Sequence, residues 1–351
     1  MMARRRAVLT EADLQALLAR VSKEGPLMGP VRRGRKSVAF EWVEEPGAIE
    51  LRYVRTLLPP KRAMFPEREA FLRFRRAPDA QAEGVVSEEP YVLFGVHPCD
   101  LAAINQLDWA MGRRHDIVDP NYVARRGAAT IVGMECLPDE YCFCPSVGTC
   151  DTREGADLFL TPVGSGYLAE ALTEKGEALV AGGPAGRAPS TEEEAEAAAW
   201  PEKKRQMTTC RIDAEMAQLP DILDSRYESE VWEETSRRCY SCGTCTNVCP
   251  TCFCYDVVDT MDLDLTSGTR ERVYDSCQHL EFALVAGGHN FRGERGDRVR
   301  HRWFRKFVHL LREHGKPFCV GCGRCTQGCT AGISLTAVLN AVIGEAKGMV
   351  V

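Results

Sequence analysis

The chain has 351 residues and a formal net charge of −6 that is spread along its length rather than gathered in an acidic tail, so nothing global asks for nucleic acid or a membrane surface as partner. No stretch approaches the roughly 20 apolar residues of a membrane span. The opening MMARRRAVLTEADLQALLARVSKEG lacks the unbroken apolar core of a secretory signal, so a cytoplasmic protein is expected.

The length allows two domains, expected at 1–205 and 206–351. Thr10 and Asp13 form a capping-box pattern that opens an amphipathic helix. SVAFEWV and LRYVRTL, within 37–57 and separated by Glu45-Pro46-Gly47, read as a pair of strands. A turn at Pro59 and Pro60 follows, then EREAFLRFRRA with helical spacing.

YVLFGV at 91–96 predicts a buried strand, DLAAINQLDWAM at 100–111 a helix, and AATIVGM at 128–134 a second buried strand. Strands joined by one helix lie parallel in a sheet. Cys99 and Cys136 then both fall at the carboxyl edge, where open α/β sheets bind ligands, with Cys142 and Cys144 in the following loop. DLFLTPV, GYLAEAL and EALV predict further short strands between 157 and 180. AGGPAG is a breaker, and Ser190 with Glu193 caps an Ala-rich helix running to Trp200. Beyond it the pattern turns helical, including LEFALVA and RWFRKFVHLLREHG. The fold class expected is α+β: an N-terminal α/β domain with a mixed sheet, and after it a mostly helical domain whose repeated CxxCxxCxxxC spacing, at 239–249 and 319–329, makes it two-cluster and ferredoxin-like.

Seventeen cysteines in so long a chain, many at two- and three-residue intervals, point to metal rather than disulfides. Cys239, Cys242, Cys245 and Cys249, followed by Pro250, match CxxCxxCxxxCP. Cys319, Cys322, Cys325 and Cys329 repeat the spacing about 80 residues later, with Thr330 in place of the proline. Three thiolates on a tight loop can wrap one face of a cubane, and in two-cluster ferredoxins the fourth cysteine ligates the other cluster. The expected ligand sets are therefore Cys239, Cys242, Cys245 and Cys329 for one 4Fe-4S cluster, and Cys319, Cys322, Cys325 and Cys249 for the second. Gly243, Gly321 and Gly323 let the backbone approach the inorganic core. A pair of zinc sites is the competing reading, but zinc motifs commonly pair CxxC units without a third cysteine at the same interval.

CGTCTNVCPTCFCYD at 242–256, DSCQHLEFALVAGGHNFRGERGDRVRHR at 275–302 and CVGCGRCTQGC at 319–329 resemble the family formed by sulfhydrogenase beta subunits and the corresponding iron-sulfur subunits of anaerobic sulfite reductases. FGVHPCDLAAINQLD at 94–108 and GMECLPDEYCFCPSVGT at 133–149 carry the same resemblance. It implies a non-catalytic electron-transfer subunit of a soluble multisubunit oxidoreductase. Such a subunit joins a flavoprotein subunit that handles NAD(P)H to a catalytic subunit of the hydrogenase or sulfite reductase type. GVHPCDLAAINQL and IVGMEC are also distantly similar to the beta subunits of deazaflavin-reducing hydrogenases, a match too short to carry a flavin site. No GxGxxG follows a strand, so neither flavin nor NAD is expected on this chain. P-loop, nucleophile-elbow and HExxH patterns are absent as well.

Nine cysteines lie outside the two ligand sets. One reading is a third 4Fe-4S cluster held by Cys99, Cys136, Cys142 and Cys144. Another is a set that includes Cys252, Cys254 and Cys277. The third is buried packing thiols or a redox thiol pair. The last would make the chain a reductase subunit with its own substrate site at a non-ferredoxin cluster or cysteine pair. His279 and His289 are candidate ligands or proton carriers, although a packed or solvated histidine is commoner. The basic run Arg292, Arg295, Arg298, Arg300, Arg302, Arg305 and Lys306 has a solvated helix face as its ordinary reading, against partner docking or balance of cluster charge. Trp303, Phe304, Phe307 and Leu311 form a core stripe.

Overall fold

The computed structural model describes residues 5–35, 37–76 and 79–348. The chain forms two compact units, Met1–Phe65 with Ser87–Thr209, and Pro66–Val86 with Cys210–Val351. The strands in chain order are β1 (Arg6–Thr10), β2 (Leu27–Arg33), β3 (Ser37–Trp42), β4 (Arg68–Arg75), β5 (Gln81–Gly84) and β6 (Tyr91–Val96). After these come β7 (Ala129–Met134), β8 (Leu158–Val163), β9 (Gly166–Ala171), β10 (Tyr255–Met261) and β11 (Ser267–Tyr274).

The first unit holds a seven-stranded sheet in the order β1-β9-β8-β7-β6-β2-β3. Its centre, β2, β6, β7 and β8, is parallel, and its margins are antiparallel, so the sheet is mixed as expected. The central strands are almost wholly buried, as strands covered on both faces must be. The helix Pro98–Gly112 leads out of β6, its proline sitting in the first turn where no N–H is needed.

SVAFEWV does form β3, but its partner is β2 rather than LRYVRTL. Pro30 has no N–H, and β2 pairs with β6 only at Leu27 and Met28. Beyond that point Glu50 N donates to Pro30 O at 2.8 Å and Val31 bridges Ile49. Residues 51–57 are left as bends, with Tyr53 stacked on His97 at 4.0 Å. EALV is also not a strand. It lies in the helix Glu174–Ala181, which Thr173 caps by accepting from Gly176 N.

The second unit is a helical body carrying a four-stranded antiparallel sheet, β10-β11-β4-β5. EREAFLRFRRA, expected as a helix, supplies β4; its last residue, Ala77, lies outside the described residues. The cause is a partner about two hundred residues away. Glu69 stands opposite Arg272 of β11, and the two form a buried ion pair at 2.5 Å that local spacing cannot reveal. LEFALVA makes only a short turn at Glu281–Ala283 before Leu284 bridges Asn290. Gly287 and Gly288, at φ 94° and 83°, turn the chain back. RWFRKFVHLLREHG is helical, but its middle, Arg305–His309, is a wide π turn between the helices Arg295–Phe304 and Leu310–His314. Trp303 and Phe304 pack on Trp232 of the helix Glu230–Arg238, and Phe307 is fully buried, as the core stripe requires.

Candidate metal centres

Both cysteine motifs fold alike. In the first, Ser241 (φ 54°) and Gly243 (φ 75°) bracket Cys242, a four-residue helix Thr244–Asn247 follows, and Cys249 N donates to Thr246 O at 3.2 Å. In the second, Gly321 (φ 65°) and Gly323 (φ 73°) bracket Cys322, the helix is Arg324–Gln327, and Cys329 N donates to Thr326 O at 3.2 Å. Thr330, where the motif usually has proline, therefore leaves the turn unchanged. The left-handed backbone at 241 and 321 lets the amide two residues after the first cysteine reach its sulfur. Ser241 N donates to Cys239 Sγ at 3.4 Å, and Gly321 N reaches Cys319 in the same way. Room is tight around Gly243: a Cβ there would come within 2.6 Å of His279 Nε2 and 2.9 Å of Ser276 Cβ.

The two small helices pack on each other, and Cys239, Cys242, Cys245, Cys325 and Cys329 line one cavity. Cys319 is buried within electrostatic reach of Cys325 and Cys249, and Cys322 is half-buried. Among the described residues no three His, Cys, Asp or Glu side chains close on a point as ligands of a single ion would. A zinc ion draws its thiolates to about 2.3 Å. A cubane asks instead for thiolates spread around it, each on its own iron.

Two buried cations face them. Arg298, Arg302 and Lys306 are 6%, 5% and 4% exposed, so this stripe of the basic run points inward and is not a solvated face. Lys306 Nζ donates to Cys249 Sγ (3.3 Å), Thr251 Oγ1 (3.1 Å) and Phe318 O (2.8 Å), and lies 3.7 Å from Cys252 Sγ. Arg302 borders the cysteine-lined cavity, and its Nε and Nη2 are buried without a hydrogen-bond partner. Neither cation has a carboxylate partner among the described residues. Burial opposes both charges, but the surrounding sulfurs raise them above their ordinary range: Cys245 and Cys325 first for Arg302, Cys249 and Cys252 for Lys306. Burial in turn pushes the Cys245 thiol up to about 12 against the pull of Arg302, and the Cys319 thiol up to about 12 against Lys306. Cys242 goes the other way, lowered by its hydrogen bond with Thr244. Buried cations without carboxylates, facing a ring of thiols, fit an anionic cluster.

The surplus cysteines fall into two groups. Cys252, Cys254 and Cys277 line a second, smaller cavity together with Arg302, Arg305 and Lys306. In the first unit, Cys99 lies in the first turn of Pro98–Gly112 and Cys136 follows β7, both at the carboxyl edge of the parallel strands. Cys144 is within electrostatic reach of Cys136, Cys142 and also Cys150, a residue the sequence patterns pass over. Burial raises the Cys136 and Cys144 thiols. Arg55 lies 3.5 Å from Cys142 Sγ and pairs with Asp139, while its Nε and Nη1 are buried without partners. Cys136 also borders a cavity of about 350 Å³ that includes Arg52, Tyr53, Tyr167 and Trp200. Cys210 packs against Thr336 Oγ1 at 3.1 Å.

His279 Nδ1 lies 2.6 Å from Asp275 Oδ1, and His289 packs edge-on against Phe291; neither borders the cysteine-lined cavities. Ser241 is the residue that motif reading misses, and for Arg302 and Lys306 the solvated-face reading gives way to balance of thiolate charge, the alternative weighed beside it. A signal for the two cations exists: 298, 302 and 306 run one position behind Val299, Trp303 and Phe307, beside the buried stripe rather than opposite it.

Among the described residues no helix is long and apolar enough to cross a membrane. Residues 238–333 match the model of a 4Fe-4S dicluster domain. No solved structure matches. The chain is 38% identical over 323 residues to the sulfhydrogenase 2 subunit beta of Pyrococcus furiosus, an alignment covering 92% of this chain and 94% of that one. At that identity, and over nearly the whole of both chains, this protein belongs to the sulfhydrogenase beta subunit family.

Proposed function

We propose that this chain is an iron-sulfur electron-transfer subunit of a hydrogenase-type multisubunit oxidoreductase. It relays electrons between a flavoprotein subunit that handles NAD(P)H and a catalytic subunit of the hydrogenase or sulfite/sulfur reductase type. The match to a dicluster domain and the relative's name support the iron-sulfur and hydrogenase parts of the reading. The observation that carries it is the cavity lined by cysteines of both motifs and closed by the buried Arg302.

Cys239, Cys242, Cys245 and Cys329 are the proposed ligands of one cluster, and Cys319, Cys322, Cys325 and Cys249 of the other. Bound clusters supply one-electron redox couples whose potentials depend on charge, hydrogen bonds to sulfur and solvent exposure. The chain sets those conditions. Arg302 and Lys306 place positive charge beside the thiolates, Ser241 N and Ile333 N donate to Cys239 and Cys329 Sγ at 3.4 Å each, and Val299 and Trp303 exclude water. Exchange of the fourth cysteine ties the two loops into one rigid piece, holding the two centres close together. Cys99, Cys136, Cys142 and Cys144 are the proposed ligands of a third cluster, with Arg55 beside Cys142.

Anaerobic purification with iron analysis and low-temperature EPR tests this. Cys239→Ala and Cys329→Ala should remove the same signal, and Cys319→Ala and Cys249→Ala the other. About eight irons per chain means two clusters and excludes the third; about twelve supports it. Redox-silent clusters, or a native complex with no flavoprotein in it, would overturn the relay.

A further inference from the structure

β10 is a margin of the four-stranded sheet: β11 lies on one side of it and, among the described residues, no strand lies on the other. The ladder with β11 fixes which backbone groups of β10 face outward. Asp275 N donates to Cys254 O at 3.1 Å beyond one end, Asp262 N donates to Ser267 O at 2.9 Å beyond the other, and the register between them has no bulge. Hydrogen-bonded positions alternate along an antiparallel pair, so Asp256, Val258 and Thr260 bond to β11, while the N–H and C=O groups of Val257, Asp259 and Met261 point away from it. Val257 N is closed by the side chain of its own neighbour, Asp256 Oδ1, at 2.8 Å.

The side chains leave this edge open. Tyr255, Val257 and Val258 are exposed on both faces of the strand, and at the hairpin tip Leu263 is fully exposed and Leu265 67% exposed. Leu265 is displayed from a left-handed backbone, φ 59°, which a leucine adopts only at a cost. The charge has one sign: Asp256, Asp259, Asp262 and Asp264 lie between Tyr255 and Thr266 with no lysine or arginine among them. Arg270 of β11 pairs with Asp259 at 2.7 Å, and the other three have no basic partner among the described residues.

Sheets commonly blunt an open edge with charge, proline or a bulge. The carboxylates here repel a second copy of the same strand, because pairing β10 with itself would set two acidic strands side by side. They do not repel a strand of opposite charge, and the apolar side chains between them still offer surface to bury.

We propose that β10 is a strand-addition site for an extended segment of a partner subunit, one that sets lysine or arginine against Asp256 and apolar side chains against Val257 and Val258. Main-chain pairing with Val257, Asp259 and Met261 supplies the hold, and the charge at Asp256 supplies the selection. The site rests on the multisubunit part of the function proposed above and names one contact that holds the assembly together.

Hydrogen exchange resolved to single amides, on the native complex and on the isolated full chain with its iron in place, tests this. In the complex the amides of Val257, Asp259 and Met261 should exchange at least about tenfold more slowly than in the isolated chain, and those of Val258 and Thr260 should change less because β11 already holds them. In Val257→Pro the missing N–H faces away from β11, so the ladder is untouched: iron per chain should match the wild type while the slowing at Asp259 and Met261 is lost. Asp256→Lys should reduce the slowing, and an unchanged slowing there overturns the choice of a basic segment. Equal exchange in the complex and the isolated chain overturns the site itself, and the wild-type comparison decides this even if a variant folds poorly. Equal slowing of all five amides overturns it too, since that is burial under a face rather than strand pairing. So does slowing in the isolated chain that grows with its concentration, which would give the edge to a second copy. Redox-silent clusters beside a protected edge would remove the relay and leave this site standing, so the two readings fail separately.

Discussion

Lys306 Nζ sits 3.3 Å from Cys249 Sγ, in the wide π turn that interrupts its helix. Such turns are uncommon and gather at functional sites. If Cys249 is a cluster ligand as proposed, a buried ammonium beside it favours the more negative, reduced state. Lys306→Met keeps the length of the side chain and removes the charge. A charge-assisted hydrogen bond is worth about 1.5–3 kcal/mol and a tenfold change in a one-electron couple is about 59 mV, so a fall of at most about 65–130 mV is expected for one proposed cluster. An EPR-monitored redox titration reads it, with iron content unchanged. Equal potentials in the two proteins would show that the charge is neutralised before it reaches the sulfur.

Arg302 should have opposite effects with and without iron. Its guanidinium is buried with two nitrogens that no protein group partners, a costly arrangement unless a bound anion compensates it, and one that Arg302→Met removes. With the proposed clusters bound, the same group would stand beside their cysteine ligands, and its loss should weaken iron retention. Thermal melts of the two apo proteins should show the variant more stable, while chelator challenge of the holo proteins should strip it faster. A variant destabilised in both states would mean that Arg302 serves packing alone.

Much of this was legible in advance. Strict period-three cysteines and their repeat marked both loops, and the run from YVLFGV to AATIVGM marked the parallel strands that bring Cys99 and Cys136 to one edge. What escaped has a common cause. β4 depends on β11, whose residues lie about two hundred positions away, and no local window contains that partner. Arg302 and Lys306 look solvated because arginine and lysine usually are. Only the cysteines opposite them, brought in from two other segments, give them a reason to be buried.

Ser241 occupies the position that is glycine in the second loop, Gly321, and has the same left-handed backbone, φ 54° against 65°. A side chain there costs roughly 1–2 kcal/mol, and the Ser241 hydroxyl is buried without a hydrogen-bond partner. Ser241→Gly should therefore stabilise the protein by about 1 kcal/mol after the added freedom of glycine in the unfolded chain is counted. Gly321→Ala should destabilise by a similar amount. Denaturant melts of the two variants, moving in opposite directions, check the pair. Movement in the same direction would mean that the loops are not equivalent.

His301 gives the second unit a pH dependence of definite sign. Burial first, and then the charges of Arg292 and Arg305 and the neighbouring His309, push its ring down to about 3. The unfolded chain binds that proton near pH 6.5, whereas the folded one refuses it until far lower. Stability from this residue is thus complete above about pH 6.5 and is lost as pH falls towards 3, by at most about 1.4 kcal/mol per pH unit. His309 is lowered as well, again by burial first, with Asp224 opposing and Arg312 and Arg305 assisting, so it adds a slope of the same sign. Denaturation midpoints between pH 7.5 and 5.5 should fall in the wild type and fall less steeply in His301→Gln, without becoming flat. Identical slopes would mean that the folded ring takes up its proton near the ordinary histidine range despite the arginines around it.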